Sequence, residues 1–214
     1  MNVTSSCLML AANLITPVSL DSIFEAEDLQ DTGVEFDSHV TVLWTEETLE
    51  RENLLSDIQE VLSKSKNIPS GFDVPNFLKF QNKMNPKPVF DLFDLGTFEN
   101  EDAGYVVLKL KKDSGLFQIL ETIHTGLLKK YELDSKWGKY VPHLTLAEVK
   151  PGEAKKYTSS ETLNLVLQKS KVLFEDFIFS YDLGDKNYKV FDVTHFNSVD
   201  RYFRIENLKK ESLI

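Results

Sequence analysis

The sequence predicts an α+β fold of two lobes, carried by a single domain over residues 1–214. Three observations predict it. Strand-length runs of β-branched and aromatic residues alternate with segments of helical period. The order of elements met in the first half then returns in the second. The chain has 214 residues, 42% of them apolar, with 15 Phe, 7 Tyr and 2 Trp, enough bulk for one core. No low-complexity segment or linker divides it.

Ser6–Leu14 is apolar and stops before Thr16-Pro17, as a buried strand does. Residues 16–37 are acidic and read as irregular, with a break at Gly33. Ser38–Trp44 is a second strand, and the spacing of Leu54, Leu55, Ile58, Val61 and Leu62 predicts a helix over 47–65. The stretch 67–88 holds four prolines and reads as a connection with an edge strand over 77–81. The plan then repeats. Strands are predicted at 89–98 and 104–112. A helix capped by Asp113 or Ser114 follows over 115–131, on a stripe of Leu116, Ile119, Leu120, Ile123, Leu127 and Tyr131. A strand over 142–149, a helix near 160–168 and a hairpin of 172–181 with 188–193, turning at Gly184-Asp185-Lys186, complete the order. The charged tail from Asn197 is expected to fray.

Twenty-four basic against 34 acidic residues give a formal charge of −10 and a pI near 4.9. Binding long nucleic acid requires many cationic contacts, so a general DNA or RNA coat function is excluded, while a compact anionic ligand met by a local basic patch is allowed. The lone Cys7 cannot close an internal disulfide or build a cysteine zinc cluster. The apolar run at residues 7–15 is too short to span a membrane, and no basic start precedes it. Asn2-Val3-Thr4 matches a glycosylation acceptor but lacks a secretion signal, so the expected compartment is the cytoplasm.

Two of the four histidines open one pattern, His39-Val40-Thr41-Val42 and His143-Leu144-Thr145-Leu146. In a strand, residues i and i+2 share a face. His39 with Thr41, and His143 with Thr145, therefore point one way while the apolar partners point into the core. If the two strands are neighbours, two imidazoles and two hydroxyls converge. A half-exposed strand without function would show the same alternation once, but the repetition on two strand–helix units favours a site. The other two histidines lack the threonine. His124 lies at the edge of a helical apolar stripe and reads as a boundary residue, and His195 beside Phe196 reads as structural.

The paired tetrads, about a hundred residues apart on repeated strand–helix units, resemble the 2H phosphoesterase superfamily. Tyr140-Val-Pro-His-Leu-Thr-Leu-Ala147 is especially similar to that family's second motif, and the order of elements matches over roughly residues 6–193. The acidic stretch between the first strand and the first tetrad departs from the pattern. The resemblance implies antiparallel sheets flanking a central cleft, with His39, Thr41, His143 and Thr145 as catalytic residues. The superfamily includes 2′-5′ RNA ligase-like proteins, 2′,3′-cyclic phosphodiesterases, and viral and phage enzymes that destroy nucleotide second messengers. A phage enzyme degrading host CBASS cyclic oligonucleotides is the leading context it suggests.

Two imidazoles can divide proton transfer, one taking a proton from the nucleophile and the other giving one to the leaving oxygen. Threonine hydroxyls can donate to phosphoryl oxygens as charge builds there. No cofactor or metal is called for, and no carboxylate–histidine cluster is visible, although two histidines with distant carboxylates leave zinc open. In the loop before the second tetrad, Lys136, Trp137, Lys139 and Tyr140 offer cations and aromatics that would hold a phosphate and stack on a base, or would close the core. Lys150, Lys155 and Lys156 read as a solvated charge run. The expected partner is a small nucleotide or cyclic oligonucleotide. Which histidine is the base stays open, as does whether the tetrads bind without turnover.

Overall fold

The computed structural model describes residues 5–35, 38–49, 51–66, 68, 85–135, 138–182 and 188–193. The expected edge strand 77–81, the turn 184–186, Asn2, Lys136, Trp137, His195 and the tail lie outside these residues. Among the described residues, nine strands form one sheet: β1 (Ser5–Ile15), β2 (Leu29–Val34), β3 (His39–Thr45), β4 (Lys87–Pro88), β5 (Phe93–Glu99), β6 (Gly104–Leu110), β7 (His143–Val149), β8 (Lys171–Asp182) and β9 (Tyr188–Asp192). The main order is β4-β8-β1-β3-β7-β6-β5, with β2 beside β7 and β9 beside β8. Every described pairing is antiparallel. The two lobes are thus halves of one sheet, joined where Val40 of β3 pairs with Leu144 of β7.

Among the described residues, five α-helical segments accompany the sheet: α1 (Arg51–Lys64), α2 (Val89–Leu92), α3 (Gly115–Lys130), α4 (Ala154–Thr158) and α5 (Glu161–Lys169). Ser114, one of the two caps the sequence predicts for α3, and Ser160 at α5 each accept at the hydroxyl from the amide three residues on. The main core joins Val40, Val42, Leu144 and Leu146 to Leu54, Ile58 and Leu62 of α1 and to Phe117, Leu120, Ile123 and Leu127 of α3. The buried stripe of α3 therefore runs through Phe117 rather than Leu116 and Ile119, which are only partly buried. Met9, Ala11 and Ile178 form a small second cluster on the other face of the sheet. Among the described residues, no helix is long and apolar enough to cross a membrane.

Three local expectations are corrected. Residues 16–37 contain a 3-10 turn (Leu20–Ser22) and strand β2, which pairs with β7 at Leu29–Val149 and Val34–Ala147 around an irregularity at Gly33, φ 64°. Residues 89–98 are not all strand, because Val89–Leu92 form one helical turn before β5 begins at Phe93. Pro88 leads into that turn with φ −53°, and the Val89 amide donates to the Ser170 carbonyl. Of the lysines read as a solvated run, Lys150 and Lys155 are exposed, but Lys156, on α4, is engaged: its ammonium bonds Asp28 at 2.8 Å and Glu25 at 2.6 Å. Tyr157 donates its hydroxyl to Asp28 as well, and these contacts fold the acidic segment back against the second lobe. The Lys156 and Tyr157 hydrogen bonds hold the Asp28 carboxyl below the usual carboxylate range.

Gly126 of α3 sets the approach of α1. A Cβ placed there would stand 2.2 Å from Cγ1 of Val61. Gly126→Ala should therefore destabilise the fold by about 1–3 kcal/mol despite alanine's better helix propensity. Adding Val61→Ala should recover most of the loss. Urea midpoints of the wild type and the two variants check this, and a more stable Gly126→Ala alone would contradict the packing.

Candidate active site

The register around Val40 and Leu144 positions the tetrads. Carrying it one residue each way sets His39 opposite Thr145 and Thr41 opposite His143. The four side chains occupy one patch, with histidine and threonine at alternate corners. Diagonal neighbours on antiparallel strands lie about 7–8 Å apart, a separation that lets two imidazoles reach opposite sides of one tetrahedral group. All four residues are half-buried, and the residues between them are fully buried.

The two halves of the patch are built alike. On β3, Leu43 pairs with Leu8 but Thr41 pairs with Met9, so Val42 is an extra residue. On β7, Ala147 pairs with Val106 but Thr145 pairs with Val107, so Leu146 is the extra one. Both strands therefore bulge at the fourth residue of the tetrad, and both show the same order of half-buried and buried positions. Past each bulge a further half-buried residue sits at the matching place, Trp44 opposite Cys7 and Glu148 opposite Tyr105.

The bulge in β3 is tied by side chains. Nδ1–H of His124, on α3, donates to the Val42 carbonyl at 2.8 Å, and the Tyr140 hydroxyl donates to the Thr41 carbonyl at 3.0 Å. The two rings stack with centroids 4.2 Å apart and planes 10° apart. Burial holds the His124 imidazole below its ordinary range, which keeps it a neutral donor. His124 thus acts beyond the boundary packing its sequence position suggests, and Tyr140 spends its hydroxyl on the strand that carries Thr41. On β7 the matching carbonyl, Leu146, accepts from the Glu35 amide at 3.0 Å. Lys139 is exposed and lines a cavity of about 460 Å³ with Lys112, Phe117, Gln118 and Glu121. None of those lining residues belongs to the tetrads.

His143 is positioned on three sides. Its Nδ1 lies 2.8 Å from the Val141 carbonyl, which can only accept, so the neutral ring carries its proton on Nδ1 and leaves the Nε2 lone pair bare. The Phe98 ring meets it edge-on, with centroids 4.8 Å apart. Lys109, its register partner on β6, holds its ammonium 4.2 Å from the same Phe98 ring and donates to the Thr97 carbonyl at 2.7 Å. Burial holds the His143 imidazole below its ordinary range, and the charges of His39 and Lys109 push the same way against the opposing Val141 bond. Sequence reasoning passed over Lys109 and Phe98. The one available signal was a lysine interrupting the apolar run Val106-Val107-Leu108-Lys109-Leu110.

At the β3 side, burial pushes the Cys7 thiol up to about 12, with the Thr41 hydroxyl opposing, so this cysteine is an unreactive floor residue. Among the described residues no three His, Cys, Asp or Glu side chains are grouped to hold a metal ion.

No protein-family model and no curated protein sequence matches the chain. Among solved structures it is similar to Kluyveromyces marxianus Usb1 with uridine monophosphate, at 10% identity and a TM-score of 0.43, over 87% of this chain and 97% of that one. It is also similar to a structure described only as a phosphoesterase, at 11% identity and a TM-score of 0.37, over 85% of this chain and 94% of that one. The third likeness is to E. coli LigT complexed with 3′-AMP, at 11% identity and a TM-score of 0.37, over 86% of this chain and 94% of that one.

Proposed function

We propose that the protein is a metal-independent phosphodiesterase acting on a small cyclic nucleotide or cyclic oligonucleotide, with residues 1–214 working as one two-lobed unit. The observation that carries this reading is the shared patch of His39, Thr41, His143 and Thr145, set by one register across the junction of two similarly bulged strands. The likeness of both tetrads to the 2H phosphoesterase motif supports the same chemistry.

His143 is the general base. It rests neutral, and its bare Nε2 accepts the proton of the nucleophile, either water or a substrate 2′-hydroxyl. The bond from that oxygen to phosphorus forms, the bond to the leaving oxygen breaks, and His39 supplies the proton the leaving oxygen takes. Thr41 and Thr145 donate to the non-bridging oxygens as negative charge accumulates. Water attack opens a 2′,3′-cyclic phosphate to a monoester. Attack by a 2′-hydroxyl on a 3′-5′ linkage gives a 2′,3′-cyclic end and opens a cyclic oligonucleotide. The second outcome fits a phage protein that removes host CBASS signals in the host cytoplasm.

The test is incubation with 2′,3′-cyclic mononucleotides and with cyclic di- and trinucleotides, in EDTA, across pH. Turnover should persist in chelator and follow a bell-shaped profile. Because the base must be neutral and His143 sits below the ordinary histidine value of 6.5, the acid limb should lie below that value. Activity lost in EDTA and restored by zinc or manganese would overturn the metal-free mechanism. Binding without product from any member of the panel would make the site a nucleotide-binding module instead.

A further inference from the structure

The two halves of the patch are not chemically equal. Ala11 stands opposite His39, and Lys109 stands opposite His143 at the equivalent place. We propose, on the reading that the tetrads hold a phosphoryl group, that Lys109 is a fifth substrate-contacting side chain, a cation that meets the phosphoryl oxygens on the His143 side and makes the two histidines unequal. Its ammonium is held in place by the Thr97 carbonyl and the Phe98 ring, the ring that also abuts His143. An ammonium has three donors and one is spent on Thr97, so two remain for an anion. Gly96, two residues before Phe98 on β5, leaves room for the lysine stem, since a Cβ there would meet Cε of Lys109 at 3.0 Å.

The charged and titratable groups around His143 are His39 on β3, Lys109 on β6, Asp94 opposite Lys109 on β5, and Glu148 with Tyr105 farther along β7 and β6. Asp94 is exposed and leans toward Lys111, 3.9 Å away. Beyond Ala11, strand β8 carries Glu175 and Asp176 in the irregularity between Phe174 and Phe177. Among the register partners of the two histidines, the cation therefore stands on the His143 side.

Lys109→Gln removes the charge and keeps a donor for Thr97, whereas Lys109→Arg keeps the charge. Three readouts test the proposal. With no ligand present, the NMR titration of His143 should move up in Lys109→Gln and stay low in Lys109→Arg. Affinity for a nucleoside 3′-monophosphate, followed on the same resonance, should fall about tenfold or more in Lys109→Gln. On the best cyclic substrate, kcat/KM should fall about 10²-fold, with the acid limb of the profile shifted upward. An unmoved His143 titration with unchanged monophosphate affinity overturns the proposal. If both shifts occur while the wild type turns over no cyclic nucleotide, Lys109 stands as an anion-binding residue and the catalytic reading alone fails.

Discussion

Replacing either His39 or His143 with alanine is expected to lower turnover by about 10²–10⁴-fold, the range lost when a positioned proton-transfer group is removed. The patch makes this more than a rule of thumb. His143 presents Nε2 because Nδ1 is committed to the Val141 carbonyl. The two histidines act on opposite sides of one displacement. Once one is gone, the second has little left to accelerate, and the double variant should be scarcely slower than either single variant. The reading also separates binding from turnover. Affinity for a nucleoside 3′-monophosphate should survive in His39→Ala far better than kcat does. Rates within a few-fold of wild type in both single variants would reduce the tetrads to strand surface.

Much of this architecture is visible in the chain before any coordinates are known. The tetrad strands stand out because period-two alternation with β-branched neighbours has one physical explanation, a strand with one face in the core. The bulges were legible in principle. After each threonine comes a pair of consecutive apolar residues, Val42-Leu43 and Leu146-Ala147, before a half-buried residue resumes the pattern. Such doubled positions mark an extra residue, and they recur at the same place in both tetrads.

What was not legible depended on pairing. Strand β2 touches β7 at its two ends around a glycine with positive φ, and its sequence, Leu-Gln-Asp-Thr-Gly-Val, has little of the β-branched content that signals a strand. The turn Val89–Leu92 is fixed by a carbonyl from Ser170, some eighty residues away. Helix α4 is five residues long and owes its place to Lys156 and Tyr157 gripping Asp28. Lys109 and Phe98 belong to the site only because β5, β6 and β7 align in a particular register, which no linear spacing reports. The spacing of His124 predicts its helix face, but its partner, the Val42 carbonyl at the bulge, is a feature of the folded backbone.

Thr41→Val and Thr145→Val are each expected to reduce the rate by about 10²–10³-fold, the cost of deleting one donor to developing charge. The substitution suits the question because valine keeps the shape and β-branching of threonine, so strand propensity is retained. Both positions are half-buried on the sheet face opposite the main core, so little packing changes. The backbone at Thr41 is held independently of its side chain, by Tyr140 donating to its carbonyl. Loss of rate therefore reports the hydroxyl and not a displaced strand, and unfolding midpoints near wild type would check that. Thr→Ser restores the hydroxyl and should recover most activity at each site. The similar bulges on β3 and β7 place the two hydroxyls at matching corners, so the two valine variants should lose similar amounts. A valine variant as fast as wild type at both positions would mean that the hydroxyls do not touch the phosphoryl oxygens. The stabilising contacts would then have to come from Lys109 and backbone amides.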